Sequence, residues 1–284
     1  MIQHDSRPKR PGWMPAVAVI ALLCAVSALS GCGKKAVVEE SKQRWVRIKH
    51  VPVEKTRAGH EVPIQAEVVS GPGSEVRAYV FYRAQGEPYQ VAEMRLLGPG
   101  SYFGSIPPFG RGVKVDYYIE ARAGADLITR VPAREKAESF HLLFKGKPNR
   151  YILITHVVFI FVALFFFLLS GYLGYKSLKD RRSLLYIPRV AFLGTIAFFI
   201  SSIPLGMVVA YQTYGKPWTG FPVGTDLTDN KSLGILLYWV VCGVLFRGSL
   251  FRRDPSRDLV SMGSMPYVYI VGAAITAVLF LLPH

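Results

Sequence analysis

The residues able to do chemistry are few and widely spaced in this chain of 284 residues. Cysteines stand at 24, 32 and 242, too far apart for a zinc-binding or redox CxxC pair. His50, His60 and His141 lack ligand spacing and read as solvated or internally bonded histidines. There is no GxSxG, no HExxH, no paired carboxylates and no phosphate-cradling glycine loop, so nothing points to an enzyme. Two features stand out. His156 lies about one turn inside an apolar stretch, where an ionisable side chain is costly and therefore a functional candidate. An imidazole there can ligate haem or a metal or bond a quinone, or simply hydrogen-bond a neighbouring helix. A b-type haem commonly takes a second axial ligand, and no other histidine falls within an apolar stretch. The second feature is the segment from Trp218 to Lys231. Trp218 and Phe221 suit a membrane interface, Pro222 and Gly224 turn the chain, and Asp226, Thr228, Asp229 and Asn230 cluster oxygens suited to a divalent cation. Their spacing is not that of an EF-hand. The ordinary alternative is that Asp229 or Asn230 caps the next helix while Asp226 fixes the loop.

The elements that must hold these residues fall into two halves. From residue 149 onward, apolar runs near 151–175, 190–214, 232–250 and 262–282 predict four membrane spans. The net charge of +15 resembles a nucleic-acid signal until it is mapped. After Tyr151, most basic residues lie in two loops: Lys176, Lys179, Arg181, Arg182 and Arg189, then Arg247, Arg252, Arg253 and Arg257. Only Lys216 and Lys231 lie between them. This is the positive-inside pattern, and it needs no polynucleotide partner. It places 176–189 and 247–258 in the cytoplasm, and the N-terminal half, the 215–231 loop and the C-terminus outside. Pro204, after Ser201 and Ser202, predicts a kink in the second span.

Residues 1–31 have the basic start, apolar centre and small-residue end of a secretory signal. The end reads Leu29-Ser30-Gly31-Cys32, which resembles the lipobox of bacterial lipoproteins. That resemblance implies cleavage before Cys32 and acylation of its thiol. Residues 32–43 are charged and aperiodic, and read as a tether.

From 44 to 148 the chain alternates. Val62, Ile64, Ala66 and Val68 share one strand face, as do Val76, Ala78, Val80 and Tyr82, then Val113, Val115, Tyr117, Ile119 and Ala121, then Phe140, Leu142 and Phe144. Gly71-Pro72-Gly73, Gly98-Pro99-Gly100 and Pro107-Pro108-Phe109-Gly110 punctuate them. About seven short strands with such turns predict an all-β sandwich, followed by a four-helix transmembrane bundle. The pattern resembles bacterial immunoglobulin-like or fibronectin type III-like modules, on Tyr82-Arg83, Met94, the Tyr102 to Pro107 segment and Val115 to Ala121. Such modules mostly bind proteins or glycans. The membrane half faintly resembles uncharacterised four-helix bacterial proteins, which implies no activity. Tyr79, Phe81 and Tyr118 fall opposite the strand faces of the core. They read either as a sugar-stacking or partner-binding patch, with Trp218 a further partner-binding candidate, or as the second side of a sheet packed against a neighbour or against this protein's own membrane helices.

The expectation is a multi-pass protein of the bacterial inner membrane, without a cofactor, whose partners are membrane lipid and other envelope proteins. It is a non-catalytic binding or assembly subunit. The alternative is a redox or quinone/haem-linked subunit using His156 and the 215–231 loop.

Overall fold

The computed structural model describes residues 35–41, 46–71, 75–123 and 126–282. The signal region, Cys32 and His284 lie outside the described residues. The chain divides into a β unit (Cys32–Asn149 with Val209–Pro217) and a helical unit (Arg150–Val208 and Trp218–His284).

In the β unit, the described strands are β1 (Val37–Ser41), β2 (Val46–His50), β3 (Lys55–Arg57), β4 (Val62–Val69), β5 (Arg77–Ala84), β6 (Gln90–Glu93), β7 (Arg95–Gly98), β8 (Ser101–Ile106), β9 (Lys114–Ala123), β10 (Asp126–Val131) and β11 (Phe140–Lys145). They form two sheets. The first has the order β1-β2-β4-β8-β7; the second has β3-β11-β9-β5-β6, with β10 paired to the far end of β9. All pairings are antiparallel except β11 with β3. Alternation sets the core: Val62, Ile64, Ala66 and Val68 from the first sheet meet Ala78, Val80, Val115, Tyr117, Ile119 and Leu142 from the second in one buried cluster. Burying apolar area at about 25 cal/mol per Å² is what holds the two layers together.

Eleven strands exceed the seven expected, for identifiable reasons. The expected tether contributes β1, an edge strand whose two acidic side chains pair on opposite faces: the exposed Glu40 with Arg47 at 2.8 Å, and the largely covered Glu39 with Lys136 at 2.8 Å. β6 and β7 also follow each other with only Met94 between them, yet belong to different sheets. β6 pairs with β5 in the second sheet and β7 with β8 in the first. The crossing residue is Met94, 3 % exposed, whose N–H donates to Ala78 O at 2.8 Å. Gly104 on β8 leaves the room, since a Cβ there would stand 3.0 Å from Met94 Cγ.

In the helical unit, α1 spans Arg150–Ser177, α2 Ile187–Ile200, α4 Leu227–Leu245 and α5 Met265–Leu281, while α3, Gly206–Tyr214, begins there and belongs to the β unit from Val209 on. Ser201–Leu205 forms a π-helical turn between α2 and α3. Pro204 has no N–H to offer the carbonyl one turn earlier, so the expected kink takes the form of this wider turn. Among the described residues, two helical stretches are long and apolar enough to cross a membrane, Arg150–Ser177 and Leu184–Tyr214. Four spans were expected. α4 begins on the polar Thr228-Asp229-Asn230-Lys231 and ends at Leu245, five residues before the expected limit. α5 has 17 residues, about 25 Å at 1.5 Å per residue. The unit has its own core, in which Phe167 stacks on Trp239 with centroids 4.3 Å apart. α1 and α5 approach closely because Gly171 carries no Cβ; one there would collide with Ala273.

Candidate functional site

Strand β9 departs from simple alternation. Its inward residues Val115, Tyr117, Ile119 and Ala121 are buried, but so are Asp116, Tyr118 and Glu120 on the opposite face. The register shows what covers them. Tyr79 of β5 faces Glu120, Phe81 faces Tyr118 and Arg83 faces Asp116. On the other edge Arg130 of β10 faces Glu120 and His141 of β11 faces Asp116. Strand period 2 places all of these on one face, away from the core.

The side chains interlock. Phe81 and Tyr118 stack with planes 6° apart, and Tyr89 meets Tyr118 edge-on at 5.0 Å. Arginines cap the rings: Arg130 lies 3.8 Å over Tyr118, Arg83 4.3 Å over Tyr89, and Arg122 5.1 Å from Phe81 and 5.6 Å from Tyr79. Each such contact contributes about 0.5–2 kcal/mol, depending on desolvation. Arg122 donates to Glu120 Oε2 from Nε at 2.9 Å and Nη2 at 2.5 Å. His141 Nδ1 lies 2.8 Å from Asp116 Oδ1, and Arg83 Nε 3.5 Å from Asp116 Oδ2. Burial, then the Glu120 carboxylate, pushes the Tyr118 hydroxyl up.

The three aromatics singled out from sequence are therefore brought together, with their ring faces on one another and on arginines. The sequence reading missed Arg83, Tyr89, Asp116, Glu120, Arg122 and Arg130, while His141 is internally bonded as expected. A signal existed: Tyr79-x-Phe81-x-Arg83 and Asp116-x-Tyr118-x-Glu120-x-Arg122 are period-2 series of aromatics and charges.

On the core side, His50 is 2 % exposed. Its Nδ1–H donates to Gln65 O at 2.7 Å, so Nε2 accepts from the Tyr117 hydroxyl at 2.9 Å. The Tyr117 oxygen in turn accepts from Val53 N–H at 2.8 Å. The side-chain polar atoms of His50 and Tyr117 are thus satisfied, and burial lowers the His50 pKa while raising that of Tyr117.

In the helical unit, His156 Nδ1 lies 3.0 Å from Ser201 O, at the start of the π-helical turn. That carbonyl also accepts from Gly206 N–H, and Ser201 Oγ donates back to His156 O at 2.9 Å. His156 thus ties α1 to the opened turn. The Trp218 loop is bonded separately. Asp226 is the N-cap of α4, accepting from Thr228 N–H and Asp229 N–H. Asp229 Oδ2 accepts from Thr219 N–H at 2.6 Å, Gly220 N–H at 3.1 Å and Thr219 Oγ1 at 3.2 Å. Asn230 Oδ1 accepts from Phe221 N–H at 2.6 Å, and Trp218 Nε1 donates to Phe221 O at 3.1 Å. The expected division of labour is reversed: Asp226 caps, while Asp229 and Asn230 fix the loop. Asp226 lies one residue before the first helical turn, where its carboxylate reaches two free N–H groups. Among the described residues, no group of three or more His, Cys, Asp or Glu side chains is placed to hold a metal.

No family model matches this chain, and no curated protein matches it.

Proposed function

We propose that this is a membrane-anchored protein of the bacterial envelope whose β unit docks another envelope protein outside the cytoplasm. In this reading the β unit is an immunoglobulin-like or fibronectin type III-like sandwich, and Cys32 carries an acyl chain that holds its start near the bilayer. The helices form a four-span bundle in the inner membrane, with the basic loops inside. The protein is a non-catalytic subunit of a membrane complex.

One observation carries the docking assignment: the second buried layer on the outward face of β5, β9 and β10. Charges there are covered by aromatic rings rather than left in water, and arginine and tyrosine dominate, the residue types that carry most interface energy. The lead-in from sequence and the two apolar stretches Arg150–Ser177 and Leu184–Tyr214 support the membrane part.

The test is photo-crosslinking in cells, with benzoylphenylalanine placed at Tyr79 and, as control, at Val69 on the first sheet, which is 54 % exposed. A discrete protein adduct from position 79 and none from 69 is the expected result. Equal or absent adducts at both positions would sink the assignment.

A further inference from the structure

Two buried side-chain polar atoms, Tyr89 Oη and Arg130 Nε, have no hydrogen-bond partner among the described residues, and a third, Arg83 Nε, meets only the Asp116 carboxylate at 3.5 Å, too long for a good hydrogen bond. All three belong to one run of contacts. Arg83 covers Tyr89, Tyr89 meets Tyr118, and Arg130 covers Tyr118. Arg130 is more than nine-tenths buried. Leaving a buried donor without an acceptor is costly, so two at one spot, beside a third that is poorly met, call for explanation. The missing complement is defined by chemistry. Both arginine atoms only donate and the tyrosine hydroxyl also donates, so what fits is an acceptor with several lone pairs.

Charge narrows it further. Around Tyr118 and Tyr89 stand the guanidiniums of Arg83, Arg122, Arg130 and Arg134 and the carboxylates of Asp116, Glu120 and Glu138. One positive charge is in excess. Glu138 stands at the edge of the group. Its backbone carbonyl accepts from Arg130 Nη2, while its carboxylate, 79 % exposed, makes only a 3.6 Å contact with Arg83 Nη2. This is a loosely held contact that another anion can replace.

We propose that the Arg83–Tyr89–Tyr118–Arg130 group is a carboxylate-binding pocket that receives a Glu or Asp side chain of a protein partner, with the Glu138 side chain as its intramolecular competitor. This rests on the docking reading and names the partner's chemistry. An acidic protein segment is favoured over an acidic glycan because the ring faces of Phe81 and Tyr118 are already taken by each other and by Arg122 and Arg130. Val91, opposite Phe81 and 58 % exposed, adds an apolar rim suited to a peptide.

The experiment uses the full chain in detergent and a fluorescein-labelled hexaglutamate peptide, read by fluorescence anisotropy at low salt. Saturable binding is expected, weakened about tenfold by Arg83→Gln and by Tyr89→Phe and strengthened several-fold by Glu138→Gln. Tyr89→Phe keeps the ring, so its circular dichroism should match the parent, and loss of affinity then reports the hydroxyl. No saturable binding, or binding indifferent to all three substitutions, overturns the proposal. Tighter binding of oligogalacturonate than of the peptide overturns it in favour of a glycan. If position 79 still gives its adduct while the peptide fails to bind, docking stands and the carboxylate assignment alone falls.

Discussion

Phe81 and Tyr118 stack with ring centroids 4.9 Å apart on the side of the second sheet that faces away from its core. Tyr118 is 9 % exposed, although it alternates with core residues along β9. Truncating it removes the stack, the edge contact with Tyr89 and the surface beneath Arg130 together. Tyr118→Ala should therefore cost about 3 kcal/mol, in the range of a core aromatic. Tyr79→Ala, at a half-buried site, should cost about 1 kcal/mol. Chemical unfolding of the full chain, followed by near-ultraviolet circular dichroism, separates the two.

The His50–Tyr117 pair predicts a pH dependence. Burial holds the His50 pKa below its ordinary 6.5. Below that pH the unfolded chain binds a proton that the folded chain resists, so stability falls as the medium is acidified and is fully present above it. Tyr117→Phe leaves His50 Nε2 and Val53 N–H unpaired and should cost about 1–3 kcal/mol. Melting temperature measured from pH 8 to pH 5 checks both points, and a His50→Gln variant should flatten the slope.

The two aspartates of the Trp218 loop should behave differently. Asp226→Ala removes an N-cap, a loss of about 1 kcal/mol that frays the first turn of α4. Asp229→Ala strips three donors of their shared acceptor and should release the Thr219–Gly220 backbone, costing about 2 kcal/mol. Hydrogen exchange at residues 219–223 should accelerate strongly in the second variant and little in the first. Equal exchange in both would contradict the assigned roles.

His156 offers a decision between the two functional readings. Its bond to Ser201 predicts that His156→Ala loosens the α1 contact with the π-helical turn by about 1 kcal/mol, the usual scale of a bond between membrane helices. The visible spectrum of the purified protein should be featureless. A Soret band present in the parent and lost in His156→Ala would replace the docking reading with the haem-linked one.

Much of the β unit was legible because its core obeys a strict period. Val62 to Val68 alternate in the sequence and are buried in the same alternation. What escaped was structure whose physical signature is weak. β1 carries Glu39 and Glu40, and acidic residues are depleted in strands, so an edge strand held by ion pairs looked like a tether. The division at Met94 leaves no trace in hydropathy, because the residue is apolar on either side of the crossing. The outward layer was only half visible. Its aromatics stood out, while Arg83, Asp116, Glu120 and Arg130 looked like solvated charges until β9 brought them under the rings. In the Trp218 loop the right residues were found in interchanged roles, since a cap and a loop clamp use the same carboxylate chemistry and differ only in position by a turn.

The passage through Met94 has a mechanical consequence. The two sheets are joined by side-chain packing and also by a single continuous segment, whose first half is bonded into one layer and second half into the other. Tension applied to β7 is therefore carried along the peptide backbone through Met94 to β6, and from there through ladder bonds to β5, so sliding one layer past the other at this edge loads the ladders of both sheets.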